Sequence, residues 1–227
     1  MSTSAKIVDS FRKSVEQALN DHQELLLAIH NKHREVSLEI RLVEQFVMST
    51  AVLWESFISE LLLSLVTKHP QSFLKGLASR VNQSVSAKFG NAAARNVHFA
   101  RPNEITRGQA LGMLDPTGSN ITASSAEELS NRANQMLTAS KAKKFSLGAE
   151  DRELIDLLIS VRNYLAHRSK RSRAALKVAI SNVGSGNNAG LGGKLTTVGT
   201  YLRRKIGHDS RATFIARRLM EISKKLR

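Results

Sequence analysis

Residues 36 to 67 constrain this chain more than any other stretch. Val36, Ile40, Val43 and Val47 recur at helical spacing, and from Phe46 the sequence is almost continuously apolar to Val66. A helix apolar on most of its sides belongs at the centre of a bundle, with other helices packed around it. Residues 4 to 33 predict a first long helix, whose Ile7, Phe11, Val15, Leu19, Leu25, Leu26 and Ile29 approximate one face. His69 and Pro70 end the central helix, and Pro70 also suits the first turn of a third helix over residues 71 to 87. No run alternates strictly between apolar and polar residues, so an all-α, up-and-down helical bundle is the expected fold.

Downstream, residues 88 to 123 carry Gly90, Pro102, Gly108, Gly112, Pro116 and Gly118 and predict an irregular inserted segment, with one short helix over residues 105 to 113. Such a segment suits a cover over a site or a contact with a partner. Ser124, Ser125, Glu127 and Glu128 form two overlapping capping boxes, which start a helix running to about Ala139. Lys141, Lys143 and Lys144 then make a polar break. An amphipathic helix follows from about Glu150, and helix is expected again from Lys170 to Ser181. Residues 183 to 193 are rich in Gly and Asn and read as a flexible connector. Two last helices are expected over residues 195 to 206 and 211 to 226, the second capped by Asp209 or Ser210. This divides the chain into a bundle over residues 1 to 181 and a basic helical extension over residues 182 to 227. Val198, Leu202, Ile206, Phe214, Ile215, Leu219 and Ile222 give the extension apolar edges, so it is expected to pack.

The formal charge of +15 is one-sided. Residues 162 to 227 hold 16 Lys and Arg against Asp209 and Glu221, whereas residues 1 to 161 hold 18 against 17. That balance points to a polyanionic partner, nucleic acid first. Arg168, Lys170, Arg171, Arg173, Arg203, Arg204 and Lys205 are the expected contacts, and truncation after Ser181 is expected to weaken RNA binding while leaving the bundle folded. Without cysteine there is no disulfide framework and no thiolate metal site. The first residues lack an apolar leader, and the run from Phe46 to Trp54 is too short for a membrane span. The expectation is a soluble cytoplasmic protein without a membrane partner.

The chemistry concentrates at Val161 to Arg168. Leu154, Leu158, Val161 and Leu165 make an apolar stripe, and Asp156, Ser160, Asn163 and His167 make a polar one beside it. Asn163 and His167 are one turn apart on one face, and Arg162 lies about 100° round the helix, within reach of the imidazole. An arginine, an amide and a histidine near a helix end can grip a phosphate and move a proton. Each alone has a plainer explanation: cations complement a helix C-terminus and asparagine is common there.

Arg162-Asn163 followed by Ala166-His167, with four residues between arginine and histidine, resembles the Arg-x(4–6)-His signature of the HEPN superfamily of helical domains. The RN-x-x-AH form is similar to HEPN domains of the prokaryotic RNA-targeting and stress-defence type. Leu53-Trp54-Glu55-Ser56-Phe57 is a second family-like stretch, with one acidic residue in an apolar helix. The resemblance implies a homodimer with a composite site and a metal-independent endoribonuclease that needs no cofactor. Arg162, Asn163 and His167 would be catalytic, with Glu55, Asp156 and Ser160 in support. A non-catalytic module binding nucleic acid or protein is the alternative. Pairing with an antitoxin or another defence-system partner is a third, although members paired with a nucleotidyltransferase antitoxin carry tyrosine two residues after the motif histidine, where this chain has Ser169.

Glu55 itself would be costly if buried unpaired, and Arg162 is a candidate partner. His30 and His33 read as surface histidines, since no carboxylate constellation accompanies them. Gly184 to Ala189 matches G-x-G-x-x-A, but no strand precedes it, and Gly193-Lys194 lacks both the Ser/Thr and the upstream Gly of a phosphate loop.

Overall fold

The computed structural model describes residues 3–32, 35–99, 102–115 and 121–227. His33, Pro116 and Gly118, singled out above, lie outside them. Helices α1 (Thr3–Lys32) and α2 (Val36–Lys68) form an antiparallel hairpin. The pairing is read from contacts that retreat along α2 as they advance along α1: Phe11 stacks on Phe57, His22 on Phe46, and His30 approaches Glu39. Around α2 lie α3 (Pro70–Arg95), α4 (Arg107–Leu114), α7 (Ala149–His167), α9 (Val198–Arg203) and α10 (Arg211–Lys225). The central position expected from its apolar circumference is the one it occupies, with Val43, Phe46, Val47, Trp54, Phe57 and Leu61 to Leu63 buried. By length and composition α2 could cross a membrane, yet 61% of its most apolar window is buried within the fold, as befits a core helix. The fold is all-α.

Local chemistry sets most of the ends. The Ser125 hydroxyl accepts from the Glu128 amide at 3.0 Å, starting α5 (Ala126–Met136), while the Glu128 carboxylate accepts from the Ser124 amide at 2.6 Å. The Ser124 hydroxyl, which also donates to that carboxylate, and then the Ser124 amide and Arg132, hold the Glu128 carboxyl below the usual carboxylate range. Pro70 opens α3. Ser169 caps α8 (Lys170–Asn182), and Ser210 caps α10.

Four expectations need correction. First, the third helix breaks at Gly90, close to its expected end, where φ is 84° and only glycine sits without strain, but the chain does not become irregular there: a second short helical stretch runs on to Arg95. The inserted segment is also better anchored than its composition suggests, since Ile105, Ala110 and Ile121 are buried in the main core.

Second, residues 195 to 206 do not form one helix. α9 covers only Val198–Arg203, and β1 (Lys205–Ile206) then pairs with β2 (Asp209–Ser210) around Gly207, whose φ is 61°. A two-residue turn with glycine first is a hairpin signal that the flanking apolar spacing obscured.

Third, residues 183 to 193 are pinned. Asn188 is fully buried and donates to the Glu150 backbone carbonyl at 2.7 Å, and Asn187 donates to the Glu150 carboxylate at 2.8 Å. A Cβ on Gly186 would fall 1.8 Å from that carboxylate. Arg211 donates to the carbonyls of Gly190 and Gly192, and Tyr201 to that of Leu191.

Fourth, α10 inserts Ala212, Ile215, Ala216, Leu219 and Ile222 into the same core as α1, α2 and α7. Truncation after Ser181 would therefore open that core instead of leaving a folded bundle.

Candidate active site

The fold positions the motif by holding both ends of α7. At its start, Glu150 is clasped by residues 186 to 188, and Asp151 is buried between Arg218 (3.1 Å) and Lys225 of α10. Acidic residues in a first turn also suit the helix dipole. At its end, Arg168 adopts the left-handed conformation, φ 48° and ψ 24°, and its amide donates to the Tyr164 carbonyl at 2.7 Å. This stops α7 at His167 and lets Ser169 start α8 within two residues.

On that scaffold Arg162 is fixed from two sides. Its Nη1 donates to Asn163 Oδ1 at 3.2 Å, and its Nε lies 3.3 Å from Glu55 Oε1. The Nε–H points off the carboxylate, so the contact with α2 is an ion pair without a directed hydrogen bond. The Arg162 and Glu55 side chains are 32% and 23% exposed. At that burial the pair orders the guanidinium while leaving one edge open to solvent. His167 stands exposed in the last turn of α7, with no hydrogen bond or ion pair among the described residues. Four residues from Asn163 to His167 amount to about 6 Å along the axis, the scale of one phosphodiester.

The structure does not gather all of the supporting residues. Asp156 faces α5, where its Oδ1 accepts from the Ala126 amide at 2.7 Å. A carboxylate at a helix N-terminus is structural capping, so Asp156 belongs to the scaffold. Ser160 is half-buried and its hydroxyl makes no hydrogen bond among the described residues. Conversely, Glu44 had no signal in the sequence: one oxygen accepts from Arg168 at 2.7 Å and the other from the Gly199 amide at 3.1 Å. It locks the end of α7 to α9, and Tyr164 lies beneath the Arg168 guanidinium, 5.7 Å from carbon to ring centre.

The expected nucleic-acid contacts divide sharply. Arg168 is engaged by Glu44, whose hydrogen bond raises the guanidinium pKa, and Arg203 is paired with Glu39. Lys170, Arg171 and Arg173 are exposed on α8 with Lys177, and none has an acidic partner among the described residues. Arg173 donates instead to the Thr196 carbonyl at 3.4 Å. Arg204 and Lys205 are likewise exposed, with no acidic partner among the described residues. Among the described residues no group of three or more His, Cys, Asp or Glu side chains comes together as a metal site. Comparison with known family models, curated proteins and solved structures found no match.

Proposed function

We propose that this chain is a metal-independent endoribonuclease of HEPN type. The observation that carries the reading is the arrangement at the end of α7: a guanidinium held by Glu55 and Asn163 and, one turn on from Asn163, an exposed imidazole with no hydrogen bond or ion pair among the described residues. In the reaction, an imidazole takes the proton from the substrate's 2′-hydroxyl, and that oxygen attacks the adjacent phosphorus. The bond from phosphorus to the 5′-oxygen breaks, and the leaving oxygen receives a proton. The products are a 2′,3′-cyclic phosphate and a 5′-hydroxyl. His167 moves the proton, and Arg162 stabilises the charge that builds on the non-bridging oxygens. Glu55 and Asn163 act as positioning residues.

One imidazole per chain serves a base and an acid step more readily when two copies meet. A homodimer across this face supplies the second imidazole, and Val52, 50% exposed one turn from Glu55 on α2, provides apolar surface there. Sedimentation at micromolar concentration tests that point: a 25 kDa species alone argues against it. The activity itself is tested on mixed cellular RNA in EDTA. New 3′ ends that resist poly(A) tailing until the cyclic phosphate is removed support it.

A non-catalytic nucleic-acid-binding module is the second reading, and one observation favours it. Among the described residues no side chain orients the His167 ring, whereas a general base is ordinarily held by a partner. Tight RNA binding with no cleavage would select that reading.

A further inference from the structure

A second surface stands apart from the α7 motif. Helix α3 leaves the core partway along its length. Phe73, Leu74 and Ala78 are buried, and Arg80 Nη1 donates to the Gln135 carbonyl of α5 at 3.4 Å, but none of residues 81 to 95 is buried. That stretch forms an arm whose helix breaks at Gly90. The Ser86 hydroxyl donates to Asn91 Oδ1 across the break, which fixes the tip.

The chemistry of the arm is one-sided. No Asp or Glu occurs between Glu60 and Glu104, whereas Lys75, Arg80, Lys88 and Arg95 do, and none of these four has an acidic partner among the described residues. Along one side runs a groove of about 760 Å³ lined by Lys75, Ser79, Asn82, Gln83, Asn91 and Arg95. Each amide there offers both donors and an acceptor. Phe89 lies one turn beyond Ser86, at the edge of that groove, and is 73% exposed. Val81 and Val85, which continue its row toward the core, are half-buried. An exposed aromatic face, an acid-free field and a set of amides together fit the bases and phosphates of an unpaired strand. A second copy of the arm would instead set Arg80 and Lys88 against like charges. A partner helix needs several apolar anchors, and this row exposes one.

We propose that the α3 arm binds single-stranded nucleic acid, with a base stacked on Phe89, neighbouring base edges on Asn82, Gln83 and Asn91, and phosphates on Lys88 and Arg95. The contact is additional to α8 and holds whether or not the α7 motif cuts RNA. Stacking tolerates any sequence because every base has a π-face. In a duplex the bases already stack on one another, so the arm favours unpaired strand.

The probe is a labelled oligothymidylate of about 12 nucleotides, within the span that such grooves cover. Lacking 2′-hydroxyls, it cannot be cut by the proposed reaction. A strand of equal length built of abasic sugars keeps the phosphates and drops the bases. In fluorescence anisotropy with the full chain, Phe89→Ala should weaken binding of the thymidine strand about 5- to 100-fold and leave the abasic strand unaffected. Lys88→Ala combined with Arg95→Ala should weaken both strands and flatten the slope of log affinity against log salt by about 1.4, at roughly 0.7 per phosphate. Phe89→Trp should bind as the original chain does, with an emission that only the thymidine strand quenches; Trp54 is 3% exposed and should not respond. All these side chains are exposed, so the variants should fold. No saturable binding of the thymidine strand, an equal effect of Phe89→Ala on the two strands, or unquenched Phe89→Trp emission would overturn the assignment. A Phe89→Ala variant that binds both strands normally but sediments differently would make the arm a protein interface instead.

Discussion

Helices α8 and α10 are both strongly basic, but their cations have different surroundings. α8 carries Lys170, Arg171, Arg173 and Lys177, all exposed and none paired with an acid among the described residues. α10 carries Arg211, Arg217, Arg218, Lys224 and Lys225, and only Lys224 has no partner among the described residues. Arg211 is 3% exposed, lies 4.3 Å over the Tyr201 ring and bonds two loop carbonyls, and burial lowers its pKa. Arg218 and Lys225 neutralise the buried Asp151. Net charge along a sequence therefore overstates the polyanion footprint wherever the fold brings acids from distant segments to meet it. On this comparison α8 is the surface we propose for a polyanionic partner, whereas α10 holds the domain together.

The largest expected effect is on folding. Deleting residues 182 to 227 removes the buried Leu191, Tyr201, Leu202, Ile215, Leu219 and Ile222. The truncated chain should show no cooperative thermal transition by circular dichroism. A stable, folded truncation would break the distinction drawn above.

Asp151→Ala comes next. It leaves Arg218, whose side chain is 13% exposed, with Glu221 alone, and losing one partner of a buried ion pair should destabilise the protein by about 3 kcal/mol. Urea denaturation measures this, and RNA affinity should stay unchanged.

Replacing Lys170, Arg171, Arg173 and Lys177 together by alanine should do the reverse. Stability should change little, while RNA affinity should fall and the slope of log affinity against log salt should flatten by about 3, at roughly 0.7 per phosphate contact on single strands. An unchanged slope would move the RNA surface off α8.

The smallest effect is predicted for Arg217→Ala. Its pair with Asp209 spans 3.4 Å and the arginine is 56% exposed, so the stability change should be no more than about 0.5 kcal/mol, with RNA binding unaffected.

What the sequence revealed and what it hid follow from the range of the interactions. The central place of α2, the span of α7 and the caps at Ser125 and Ser210 are written in periodicities and in contacts over three or four residues, and the structure has them. The Glu55–Arg162 pair was legible because a lone carboxylate in an apolar helix needs a cation, and the motif arginine was the candidate. Residues 183 to 193 looked loose because nothing local holds them. Their anchors are Glu150, 37 residues upstream of Asn187, and Arg211, 19 residues downstream of Gly192. Asp156 and Glu44 exchanged places for the same reason. Their roles depend on α5 and α9, which are brought to them only by the tertiary fold.

The central claim is that the end of α7 moves a proton during RNA cleavage, and His167→Ala tests it most directly. His167 is exposed and unengaged, so the variant should unfold within about 1 kcal/mol of the original chain. Measured on the same RNA in EDTA, its cleavage rate should fall on the order of a hundred- to ten-thousand-fold, with RNA affinity retained. A variant that cuts as fast as the original chain would contradict the assignment of the site, and an original chain that binds RNA tightly but leaves it intact would contradict the activity.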